Sequence, residues 1–166
     1  MGYCEKLPEP ISISDFGGNW ETYVEELYKI FKKDFIIKRS TFFGKNVDII
    51  HQQYEDNKER SFWHIVSSGT TDDDRQPDFE RCEKIGWAGA LIRCQSNCEN
   101  YKVWVQYHDK SKKDRYYILC ELEQYLVVLE DRGSYLKLIT AYPVCDYMVK
   151  KYIKNYNNYI KTKTPT

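Results

Sequence analysis

Hydrophobic and polar positions along the chain change period more than once. In NWETYVEELYKIFKKDF, residues Trp20, Tyr23, Val24, Leu27 and Phe31 recur three and four apart behind Asn19, a natural N-cap. That spacing predicts an amphipathic helix. The residues before it, ending in DFGG, read as an arm and a turn. KRSTFFGKNVDIIHQQY reads as a strand, a Gly-Lys-Asn turn and a second strand. SFWHIVS, rich in aromatic and β-branched residues, reads as a short third strand. Pro77 then opens a helix, with Asp78 and Glu80 suited to the positive end of its dipole. Phe79, Cys82, Ile85, Ala90 and Leu91 supply its apolar side, and Gly86 and Gly89 predict a break near its middle.

After residue 100 the period shortens. YKVWVQY, RYYILCE, YLVVLED and SYLKLITAY are four β-rich runs separated by short turns, which favours an antiparallel meander. CDYMVKKYIKNYNNYI closes the chain as a helix with Tyr152, Ile153, Tyr156 and Ile160 on its apolar side. The element order α–β–β–β–α–β–β–β–β–α predicts an α+β domain, its helices packed on one face of a mostly antiparallel sheet. With no repeat and no linker, residues 1–166 form one domain.

Composition narrows the classes. The chain has 42% hydrophobic and 16% aromatic residues, so it is not disordered by composition. Its 25 basic and 25 acidic residues give zero net charge, which argues against a non-specific nucleic-acid binder but not against a local basic cleft. The six cysteines include no Cys-x-x-Cys pair, and MGYCEKLPEP lacks the apolar core of a signal peptide. Reduced thiols, no zinc and a cytoplasmic location are the expectations. No apolar run approaches membrane-spanning length.

In a strand, residues two apart share a face, which groups Phe62, His64 and Val66, and separately Leu136, Leu138, Thr140 and Tyr142. If those faces coincide, His64, Thr140 and Tyr142 converge at one edge of the covered region. Each has a bland alternative: a hydrogen-bonded structural histidine, and two good strand formers. Arg81 is by default a helix surface charge. Asp72, Asp73 and Asp74 suit either a divalent metal or a solvated loop, the latter being the plainer account. KKYIKNYNNYIKTK mixes lysine and tyrosine, which fits nucleic-acid contact or, more simply, the wet face of an amphipathic helix. His51 and His108 have no recognisable supporting neighbours.

SFWHIVSSG, DFERCEKIGWAGALI, YLVVLEDRGSYLKLITAYPV and the lysine-rich helix that follows together resemble a phage- and prophage-borne RNase group. That group belongs to the nuclease superfamily uniting barnase, EndoU, colicin-type tRNases and RelE. The resemblance covers about residues 61–152, a nuclease-like core. It follows an arm (1–18) and an N-terminal helix and hairpin (19–60), and precedes the end of the last helix and a tail (153–166).

The resemblance implies a RelE/barnase-like fold and metal-independent, cofactor-free RNA cleavage. In that chemistry the ribose 2′-OH attacks phosphorus and leaves a 2′,3′-cyclic phosphate and a 5′-OH. It implies His64 as general base or acid, Arg81 on the phosphate, and Thr140 and Tyr142 as hydrogen-bonding groups, with Tyr142 also a proton donor or stacking surface. The resemblance also offers Lys151 as a further, weaker candidate for the phosphate. The implied biology is a toxin or antiviral defence protein whose partners are RNA, tRNA among the candidates, and a neutralising antitoxin or a phage or host protein. The alternatives are a non-enzymatic protein-binding module on the same fold and a metal-dependent hydrolase using Asp72 to Asp74 with His64.

Overall fold

A computed structural model describes residues 7–95 and 98–163. A short 3₁₀ turn, Ile13–Phe16, leads into helix α1, Trp20–Lys32, whose Asn19 side chain accepts from the Thr22 N–H at 2.9 Å. The helix tightens into a π turn, Lys33–Ile37. Strands β1, Thr41–Phe42, and β2, Lys45–Asp48, follow, then a small hairpin of β3, Gln53–Glu55, and β4, Lys58–Glu59.

Helix α2, Arg60–Val66, comes next, and β5, Ser67–Ser68, pairs with β6, Gln76–Pro77. Helices α3, Phe79–Glu83, and α4, Ile85–Cys94, precede the meander of β7, Tyr101–His108, β8, Lys113–Cys120, β9, Tyr125–Asp131, and β10, Leu136–Pro143. Helix α5, Asp146–Lys163, ends the described chain. No helix among the described residues is long and apolar enough to cross a membrane.

The α+β class and the four-strand meander stand as expected. The main sheet runs β1-β2-β10-β9-β8-β7, antiparallel except where β2 lies parallel to the start of β10, Val47 opposite Leu136. Helices on a single face do not describe it. Tyr125, Val127 and Leu129 of β9 pack with α1 to α4, whereas Leu126 and Val128 pack with α5 on the other face. The reason is visible in β9 itself: YLVVLE is buried at every position, the signature of a strand covered on both sides.

The second helix breaks near its middle as expected, at Lys84 between α3 and α4, although both glycines lie inside α4. Two local expectations are corrected. SFWHIV is helical, because Phe62, Ile65 and Val66 form an i, i+3, i+4 stripe that enters the core while Trp63 and His64 stay at the boundary. Cys120, buried at the end of β8, is disulfide-bonded rather than reduced; Cys82 keeps its thiol, which lies 3.4 Å from the Val66 oxygen.

Gly89 has a packing reason. A Cβ there would lie 2.6 Å from the carboxyl of Asp34, a buried acid that accepts from Arg93 at 3.1 Å. Burial pushes the Asp34 carboxyl up, and the Arg93 guanidinium opposes that push. Gly89→Ala therefore destabilises the fold by about 1–3 kcal/mol, although alanine is the better helix former by about 1 kcal/mol. Urea denaturation of the two proteins measures the difference; a more stable variant would refute the close approach.

Candidate functional site

Helix α2 is seven residues, six of them weak helix formers after Arg60, and its end carbonyls need partners. The loop and helix that follow supply them. Arg75 Nη2 donates to the oxygens of His64 at 2.9 Å and Ser67 at 2.6 Å, and its Nε to Ser67 Oγ at 2.9 Å. Arg81 Nη1 donates to the same two carbonyls at 3.3 and 3.0 Å. The Asp78 N–H takes the Val66 oxygen at 3.0 Å, and the Ser67 hydroxyl donates to the Trp63 oxygen. Two cations at the negative end of a helix are also electrostatically favourable.

This arrangement turns the His64 imidazole outward, its side chain 26% exposed. Its Nε2 lies 3.1 Å from Asp72 Oδ1, and Arg60 holds the same carboxylate. A pocket of about 170 Å³ opens beside it, lined by Tyr54, Glu55, Arg60, Trp63, His64 and Arg75 with Asp72 and Asp73. The Tyr54 hydroxyl donates to the Asp72 backbone oxygen at 3.3 Å, and Trp63 Nε1 to the Glu55 oxygen at 3.0 Å. Burial, then the guanidiniums of Arg75, Arg60 and Arg81, press the His64 pKa down to about 4. The imidazole is neutral at neutral pH. When Nε2 carries its proton toward Asp72, the lone pair sits on Nδ1.

The four side chains expected to share one pocket do not gather there. Arg81 reaches His64 only through the backbone oxygen, and its guanidinium lies over the Tyr142 ring, 5.1 Å from the centroid. The Tyr142 hydroxyl is 3.0 Å from that of Tyr152 on α5. A bulge between Leu138 and Thr140 breaks the simple alternation of β10. Leu136, Leu138 and Ala141 face the α1 to α4 layer, while Ile139 and Tyr142 belong with α5. Thr140, opposite Val128, shares that second face. His64 and Thr140 thus stand in different layers, with Arg81 spanning the gap to Tyr142. Lys151 is exposed on α5, away from the pocket.

Arg60, Arg75 and Tyr54 were not singled out as His64's neighbours by sequence reasoning, and Asp72 was joined to it only as a metal ligand. No spacing rule ties them to His64; only the cluster of charge in DDDR beside a histidine-bearing segment hinted at them. The three aspartates diverge: Asp72 serves His64 and Arg60, and Asp74 caps its own turn through Thr70 and Thr71. Among the described residues no three His, Cys, Asp or Glu side chains converge as metal ligands. His51 lies 2.6 Å from Asp48, and His108 3.0 Å from Ser111, both local contacts.

Comparison with protein-family models, with curated proteins and with solved structures finds no match to this chain.

Because the folded pKa of His64 lies below its ordinary value, the unfolded chain binds more protons between about pH 4 and 6.5. The stability tied to neutral His64 is complete above that window and is lost as pH falls through it. Between pH 7 and 4.5 the wild type should lose about 1–3 kcal/mol more than His64→Asn in urea titrations. Equal losses in the two proteins would show that the imidazole is not desolvated.

Proposed function

We propose that the protein is a metal-independent endoribonuclease of the toxin or defence kind, with His64 as the general base. The observation that carries this reading is the His64–Asp72 pair at the mouth of a pocket bordered by Arg60 and Arg75. Asp72 orients the imidazole, and Nδ1 takes the proton of a ribose 2′-OH as its oxygen attacks phosphorus. The Arg60 and Arg75 guanidiniums face the charge that develops on the phosphorane. Tyr54 is the hydroxyl-bearing side chain of the pocket lining and serves to protonate the leaving 5′-oxygen. The products are a 2′,3′-cyclic phosphate and a 5′-OH.

A bound phosphate also offsets the three guanidiniums that depress His64 and so makes it a stronger base in the complex. Arg81 is a positioning residue in this scheme: it holds the His64 and Ser67 carbonyls and rests on Tyr142.

A second reading is a non-enzymatic protein-binding module on the same fold. One observation favours it: Glu55, Asp72 and Asp73 line the pocket against only two guanidiniums, so the pocket has no positive surplus.

Incubation with total RNA or tRNA in EDTA tests both. The nuclease reading expects cleavage that survives chelation, yields cyclic phosphate ends and falls about 10²–10⁴-fold in His64→Ala. Its kcat/KM should rise as pH passes about 4, where His64 sheds its proton. Cleavage lost to chelation, or unchanged in His64→Ala, would overturn it. No cleavage by a folded protein would favour the module.

A further inference from the structure

Zero net charge conceals a strong segregation. Helix α5 carries five lysines, Lys150, Lys151, Lys154, Lys161 and Lys163, against the single carboxylate of Asp146, a surplus of four positive charges. All five lysines are exposed. Because the whole chain balances, the remainder has an excess of four negative charges.

At 100° per residue, Tyr147, Lys151, Asn155, Asn158 and Thr162 fall on one stripe of α5, with Lys154 and Lys161 beside it. This is not the stripe that packs on the sheet, which holds Val149, Tyr152, Ile153 and Tyr156. Asn155, Asn158 and Thr162, with Tyr159, meet Trp104, Val105 and Gln106 of β7 around a pocket of about 320 Å³. That size is at the small end of ligand pockets, about 300–1,000 Å³.

Trp104 closes one wall of this pocket; it is 1% exposed, and its enclosed indole Nε1–H, without a hydrogen-bond partner among the described residues, is not offered to a ligand. The amides of Gln106, Asn155 and Asn158 supply the polar lining, and each both donates and accepts. The complement is a group that carries acceptors and donors side by side, as a nucleobase edge does. A carboxylate would match only the donors. Tyr147, 76% exposed at the start of the stripe, offers a face for stacking, and the lysines offer charge to phosphates.

We propose that α5 and β7 form a track for single-stranded RNA, with one base seated in the amide pocket beside Trp104 and the backbone following the lysines. A single strand is required because in an A-form duplex every base is stacked and its Watson–Crick edge is paired, so none can be seated in such a pocket. The track extends the RNA reading above to the way the strand is held, and it does not require His64.

A fluorescent 12-nucleotide RNA methylated at every 2′-oxygen cannot be cleaved by 2′-OH attack, so its anisotropy reports binding alone. The wild type should bind it. Lys151→Glu with Lys154→Glu should weaken binding tenfold or more and reduce the slope of log affinity against log salt by about 1.4. Asn155→Ala with Asn158→Ala should weaken binding several-fold at an unchanged slope. A duplex of equal length should bind at least tenfold more weakly. Circular dichroism confirms that the variants are folded.

No binding by wild type at 50 mM salt would overturn the track. So would binding indifferent to the lysine substitutions, or equal competition by polyglutamate. Binding without cleavage of unmodified RNA would remove the nuclease reading and leave the track. Cleavage by a protein that does not bind the methylated strand would do the reverse.

Discussion

Two guanidiniums on the carbonyl end of one short helix organise the candidate site. Phe62, Trp63, Ile65 and Val66 are residues that favour strands, and no side chain caps the start of α2. What the segment lacks in propensity is supplied at its far end, where Arg75 and Arg81 bridge the His64 and Ser67 oxygens. Those contacts fold the 67–78 loop back against α2 and bring Asp72 to the imidazole. They also set its protonation, since the cations that cap the helix repel a proton on His64. Local stability and site chemistry therefore share the same atoms.

Helix α1, the four-strand meander and α5 were legible because each has a long, clean period and short connections. α2 was not, because its few apolar positions fit either a period of two or one of 3.6, and only distant arginines decide between them. Coverage of the sheet on both faces was written in the unbroken apolar run of β9. The reading that placed every helix on one side passed over it.

The site was legible only in part. His64 stood out as an ionisable residue in an apolar run, but its partners lie on a loop whose path depends on satisfying backbone carbonyls, a requirement that exists only once α2 is formed. Thr140 and Tyr142 were assigned to the wrong face because the bulge after Leu138 adds one residue that no propensity marks. Lysine and tyrosine in α5 were recognised, and set aside as a solvated face, because charge summed over the chain hid their concentration on one element.

The parallel contact between Val47 and Leu136 has a consequence for synthesis. The early hairpin takes its place beside a strand that leaves the ribosome much later, and α2 packs against that same strand. Until β10 is made, α2 lacks the strand it packs on, so its final packing waits for a segment about 70 residues later in the chain. His64 and Asp72 emerge early, and the contacts of Arg60, Arg75 and Arg81 that join them are local, but the helix that carries His64 gains its sheet partner only once β10 has been made.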